Sequence, residues 1–182
     1  ACGLLSWRAL GVAVDRRGLV QGATWLLRGA GLLCLVAAAQ AWHYGARLGP
    51  DTGAASLVWI GCGALAGGVL IGLLEEIVFR GMVFRMIYTA TGPGVALIAT
   101  NLFFSYAHFK IPDAVWEQTD RTVDWASGGF VAFWTLFGIT LDFSAIEFLN
   151  LFLFGVVLAL LTLRTRSLMP AIGFHAGIVI CI

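Results

Sequence analysis

Residues 52–80 read TGAASLVWIGCGALAGGVLIGLLEEIVFR, and this stretch decides the fold. Its first 23 residues carry no charge, and a helix needs about that many apolar residues to cross a bilayer. Glu75, Glu76 and Arg80 follow within six positions. A charge at membrane depth costs roughly 2.5–3.5 kcal/mol on insertion scales, so such residues usually face a cavity or a partner. The stretch therefore predicts a membrane helix that carries a functional site.

The composition is that of a membrane protein. Of the 182 residues, 60% are hydrophobic and 12% are charged, against roughly 25% charged in soluble domains. The mean hydropathy is +0.92. We therefore expect an all-α, integral-membrane helical bundle that forms one domain over residues 1–182. The net charge of +1 and the lack of basic runs argue against a nucleic-acid partner.

Gaps between charges predict about six transmembrane helices. The second is expected to continue as helix to about Tyr88, where Thr91 to Gly94 (TGPG) should break it. Residues 1–28 are predicted to form an interfacial N-terminal segment. Because Ala1 is not a methionine and the last apolar run stops at Ile182, we expect truncation at both ends. The six predicted spans are residues 29–46, 52–74, 95–109, 125–141, 148–163 and 168–182.

The two adjacent acids are predicted to have different roles. Successive helical residues point about 100° apart, so both cannot face the same way. Glu76 and Arg80 stand at i, i+4, the favourable order for an ion pair, which leaves Glu75 without a local counter-charge. Gly72 and Gly68 share the face of Glu75 and allow a neighbouring helix to approach closely. We predict Glu75 to be a general base in a tight interhelical space. The alternative is a purely structural pair, with Glu75 reaching the interface.

Two histidines are further candidates. His108 ends an apolar segment and has Asn101 seven residues before it on the same helical face. Alone it would be interpreted equally well as an interfacial residue. His175 begins the glycine-lined part of the apolar segment from Pro170 to Gly177, which favours a functional role. Four cysteines without a CxxC pair are predicted to be small apolar filler.

Three motifs together resemble the CPBP family, which comprises type II CAAX prenyl proteases and bacteriocin-processing (Abi-like) intramembrane enzymes. The resemblance covers roughly residues 57–182 and implies a membrane-embedded α-helical endopeptidase acting on a peptide or protein, prenylated or otherwise membrane-associated. It also implies a location in the lipid bilayer, expected to be the plasma (inner) membrane of a prokaryote. The motifs are Glu75-Glu76-x-x-x-Arg80, Phe104-x-x-x-His108 and His175.

The resemblance also implies residue roles. Glu75 would activate water together with His108, while Glu76 and Arg80 support the site. His175 would help to form the site and stabilise the oxyanion. Asn101 and Phe104 are taken as supporting residues.

One position departs from the family pattern. The third motif usually continues to Asn or Asp four residues after the histidine, and this chain has Val179 there. One oxyanion donor is worth roughly 2.7–4 kcal/mol. We expect the missing amide donor to weaken oxyanion stabilisation unless Asn101 or a backbone N–H makes up for it, and the loss of both would put activity, more than fold, in question.

Three functional hypotheses remain. The first is a protease without a cofactor, in which Glu75 and His108 act on water. The second is a zinc protease with His108, His175 and Glu75 as ligands, although no HExxH motif is present. The third is a non-catalytic relative that binds a peptide or partner, or a small transporter whose acids relay protons. Transport is disfavoured because the acid-bearing segment is not repeated.

Overall fold

The computed structural model describes residues 10–45, 53–108 and 144–181, and every regular element in these ranges is helical. The all-α prediction is confirmed. The predicted span 125–141 lies outside the described residues. The helices are α1 (Arg16–Tyr44), α2 (Ala54–Glu76), a π-helix (Ile77–Val83), α3 (Phe84–Thr91), α4 (Pro93–His108), α5 (Ala145–Thr165) and α6 (Met169–Val179).

Within the described ranges, three helical stretches are long and apolar enough to cross a membrane. They are Arg16–Tyr44, Ala55–Thr91 and Ala145–Thr165, and Met169–Val179 is a shorter apolar helix. This number is lower than the six predicted, since α4 has 16 residues, α6 has 11, and one predicted span is not described. Large exposed apolar side chains on these helices, such as Trp59 and Leu149, suit contact with lipid.

The chain divides into two compact units, residues 1–100 with 157–182 and residues 101–156. The boundaries fall inside α4 and α5. The expectation of one domain over residues 1–182 stays a prediction.

In the first unit, α6 packs between α1 and α2 through glycines. A Cβ on Gly173 would lie 2.0 Å from the carbonyl oxygen of Gly22 in α1. A Cβ on Gly72 would lie 2.9 Å from the backbone nitrogen of Ala176, and Gly68 is similarly close to α6. The prediction that Gly68 and Gly72 admit a neighbouring helix is confirmed, and that helix is α6.

Helix α1 begins earlier than the span predicted from Gly29. The Asp15 carboxylate accepts a 2.8 Å hydrogen bond from the backbone N–H of Gly18, which caps the helix at Arg16. The helix continues through Arg28, whose guanidinium lies 4.6 Å from the centre of the Trp25 ring. Part of the segment predicted to be interfacial is thus helix that packs on α6.

The acid-bearing helix is continuous from Ala55 to Thr91, as predicted, but it contains an unpredicted π-helical stretch. The π-helix begins at Ile77, directly after Glu76. Such widened turns are rare and occur frequently at functional sites. The predicted break is confirmed at Gly92, whose φ of 92° is a conformation that residues with a Cβ rarely adopt.

Candidate active site

In the first unit, a single carboxylate oxygen joins side chains from two helices. Glu76 Oε1 accepts a 2.9 Å hydrogen bond from Arg80 Nη1 and another of 2.9 Å from His175 Nδ1. All three residues are buried, with exposed fractions of 0%, 1% and 3% respectively. The predicted Glu76–Arg80 ion pair is confirmed. The hydrogen bond from His175 connects α6 to the end of α2.

The packing of α6 on α2 explains why His175 reaches Glu76. A Cβ on Gly72 would meet the backbone of Ala176, so the two helices are close at this level. Glu76 lies one turn after Gly72, and His175 is next to Ala176. A side chain at Gly72 would press against the backbone of α6, separate the helices and lengthen the hydrogen bond.

Glu75 is the more accessible of the two acids. Its side chain is 28% exposed, whereas that of Glu76 is fully buried. Glu75 Oε2 lies 3.8 Å from His175 Nε2, which is longer than a direct hydrogen bond. Each ring nitrogen of His175 therefore faces a different acid. Nδ1 makes a direct hydrogen bond to Glu76, and Nε2 faces Glu75 at the longer distance.

His108 belongs to the second unit, where its ring is held by its own helix. His108 Nδ1 donates a 2.8 Å hydrogen bond to the carbonyl oxygen of Phe104, and the two rings lie 4.4 Å apart. Because Nδ1 carries the hydrogen, Nε2 is the basic nitrogen of the neutral ring. Phe104 and Asn101 are both fully buried. The joint action of His108 with Glu75 stays a prediction.

The sequence did not indicate the bond between His175 and Glu76. The two residues are 99 positions apart, and helical periodicity relates residues only within a few turns. The resemblance assigned both to one site without pairing them. Val179, the position that departs from the family pattern, is the last residue of α6 and is half-buried.

The proposed zinc ligands do not form a complete set within one unit. Among the residues that the structure describes, no three His, Cys, Asp or Glu side chains are grouped to hold a metal ion. The first unit contributes only Glu75 and His175, while a catalytic zinc takes three protein ligands. We therefore derive no chemical step through zinc.

A comparison with protein-family models identifies the family to which the chain is similar. The model described as type II CAAX prenyl endopeptidase Rce1-like matches residues 55–181. That range contains every predicted site residue, namely Glu75, Glu76, Arg80, Asn101, Phe104, His108 and His175. Searches of curated proteins and of solved structures gave no match.

Proposed function

Because the chain belongs to the type II CAAX prenyl endopeptidase Rce1-like family, we propose that it is an intramembrane endopeptidase whose water nucleophile is activated by Glu75. The observation that carries the proposal is the difference between the two acids. Glu76 is buried and bonded to Arg80 and His175, whereas Glu75 is partly exposed and faces His175 Nε2 at 3.8 Å. Glu76 therefore suits a structural role, and Glu75 suits contact with water and substrate.

The proposed reaction needs groups that activate the water and a donor that stabilises the oxyanion. Glu75 takes a proton from water as the oxygen attacks the peptide carbonyl, and the proton is then delivered to the leaving amide nitrogen. The carbonyl C–N bond breaks, so the products are a new carboxylate and a new amine. His108, through Nε2, is proposed as the second group that orients or deprotonates the water, as the family resemblance implies.

His175 is proposed to stabilise the developing oxyanion. Its Nδ1 donates to Glu76, so Nε2 can also donate only when the ring is an imidazolium.

We propose as substrate a membrane-associated peptide or protein segment, prenylated or not, and as location the plasma membrane of a prokaryote. The support is the family and the apolar helices, which make the chain an integral membrane protein. Val179 favours a second candidate, a non-catalytic relative that binds such a segment without cleaving it.

The test is hydrolysis of a library of prenylated and unprenylated peptides by the purified full chain in detergent. Glu75→Gln should lower turnover about 10²–10⁴-fold, the usual contribution of a general base, without lowering the thermal midpoint. Glu147→Gln is the matched control, because Glu147 is an exposed acid at the start of α5. Turnover retained by Glu75→Gln would remove Glu75 as the base. A wild-type chain that binds peptides but cleaves none would favour the non-catalytic candidate.

Repeating the same assay with a chelator distinguishes the metal-free reaction from the zinc-dependent alternative. We expect activity to survive chelation and elemental analysis to find no stoichiometric zinc. One zinc per chain, with activity lost to chelator and restored by metal, would overturn the metal-free proposal.

A further inference from the structure

A cavity of about 300 Å³ in the first unit lies beside α3 and the end of α5. Three of its lining residues are arginines and none is acidic. The arginines come from separate segments: the π-helix, α3, and the turn after α5. The polar lining residues are Arg80, Arg85, Tyr88, Thr162 and Arg166.

Two of the three positive charges are not neutralised by an acid. Arg80 is paired with Glu76. For Arg85 and Arg166, the described part of the chain provides no side-chain hydrogen bond or ion pair. The Arg85 guanidinium lies beside Gly11, since its Nη2 atom would be 2.9 Å from a Cβ on that residue. Positive charge thus lies around the cavity without a carboxylate from the described residues to balance it, which suits an anionic ligand.

A buried hydroxyl provides an independent indication of a ligand. Thr162 Oγ1 is buried and has no hydrogen-bond partner within the described ranges. Leaving a buried polar atom in that state is unfavourable. Thr162 lines the same cavity, so an oxygen atom of a bound anion would accept the hydrogen of this hydroxyl.

The position of the cavity indicates which anion it meets. Helix α5 has 21 residues, a length of about 31 Å, which is close to the thickness of the hydrocarbon core. Arg164 lies in its last turn, and Arg166 follows the helix. The cavity therefore lies at the end of a membrane span, at the depth of the lipid headgroups.

We propose that this cavity binds the phosphate group of an anionic phospholipid. Basic pockets between membrane helices bind such headgroups, and guanidinium groups can contact phosphate oxygens in pairs. Phe84 and Leu163 supply apolar wall beside the arginines. The proposal goes beyond peptide hydrolysis and does not depend on it. The cavity also borders Arg80, the buried residue that is paired with Glu76.

The test titrates the purified full chain in detergent with phosphatidylglycerol, phosphatidylcholine or inorganic phosphate and measures bound ligand by native mass spectrometry. We expect saturable binding of phosphatidylglycerol and much weaker binding of the other two. Arg166→Gln should weaken phosphatidylglycerol binding about fivefold, the ratio that corresponds to ~1 kcal/mol per cation near anionic lipid. Arg164→Gln is the matched control, since both arginines are exposed but only Arg166 lines the cavity.

A second variant distinguishes lipid binding at a specific site from nonspecific electrostatic attraction. Thr162→Val keeps the net charge and removes the buried hydroxyl, so it should weaken binding severalfold while the melting midpoint without lipid shows that the variant is folded. The proposal is overturned if Thr162→Val binds like wild type or if Arg164→Gln loses as much affinity as Arg166→Gln. Equal binding of phosphatidylcholine, or saturation by inorganic phosphate alone, would also overturn the assignment to an anionic lipid. Catalysis is not measured, so failure of the peptidase proposal would leave these results unchanged.

Discussion

At the scale of single residues, the Glu76 carboxylate is the point on which the candidate site depends. Its Oε1 atom accepts hydrogen bonds from Arg80 on its own helix and from His175 on α6. The sequence predicted the first bond, because i, i+4 spacing on a helix is visible in a linear chain. It could not predict the second, because that bond requires the packing of two distant segments. The accessibility of Glu75 relative to Glu76 likewise follows from that packing.

Removing either partner of the buried pair should destabilise the protein. Glu76→Ala leaves both Arg80 and His175 without their acceptor, and Arg80→Ala leaves a buried carboxylate without its cation. We expect losses of about 3–5 kcal/mol, with Glu76→Ala the larger, measured as thermal midpoints in detergent. Glu147→Ala, at an exposed acid, should change little. A Glu76 or Arg80 variant that melts like wild type but cleaves nothing would show that the pair acts in the chemistry instead.

At the scale of helices, α6 is positioned by close contacts with two neighbours. The glycines of α2 were recognisable from the sequence, because Gly68 and Gly72 lie one turn apart on one face. Gly173 and Gly177 have the same spacing in α6, but nothing in the sequence identified α1 as the helix they contact. The π-helix was also not predictable, since the residues Ile77–Val83 are compatible with an ordinary apolar helix.

A methyl group added at the α1–α6 contact should separate the helices. Gly173→Ala would place its Cβ 2.0 Å from the carbonyl oxygen of Gly22, where only backbone movement can relieve the clash. We expect the free energy of unfolding, measured by denaturation in mixed micelles, to fall by about 1–3 kcal/mol or more. Peptidase activity should also fall, because His175 would move.

The matched control for this contact is Gly67→Ala on α2. A Cβ at Gly67 would have no atom within 4 Å. The substitution should therefore stabilise the helix by up to about 1 kcal/mol through helix propensity alone. Equal effects of the two substitutions would contradict the α1–α6 packing described here.

At the scale of the whole chain, charge spacing located helices better than it determined their ends. The run before Glu75 and the break at Gly92 both lie where the sequence indicated. The start of α1 was missed because the interfacial interpretation gave no weight to the cap that Asp15 provides. The division into two units could not be predicted, since its boundaries fall within the apolar helices α4 and α5.

The packing of α1 beside the end of α6 can be tested through two cysteines. Cys34 Sγ and Cys181 Sγ lie 3.6 Å apart, a contact that the interpretation of the cysteines as separate apolar filler did not predict. Cys62, on α2, is exposed and is a free thiol like the other two. Mild oxidation of the purified chain should therefore join Cys34 to Cys181, because two thiols already in contact need only a small movement to reach bonding distance.

Mass spectrometry of the digested protein should identify the linked peptides, and Cys181→Ser should abolish the link while Cys62→Ser leaves it intact. A link from Cys34 to Cys62 that persists in Cys181→Ser would place α2, and not the end of α6, beside this part of α1. That result would also contradict the close packing of α1 against α6, on which the position of His175 depends.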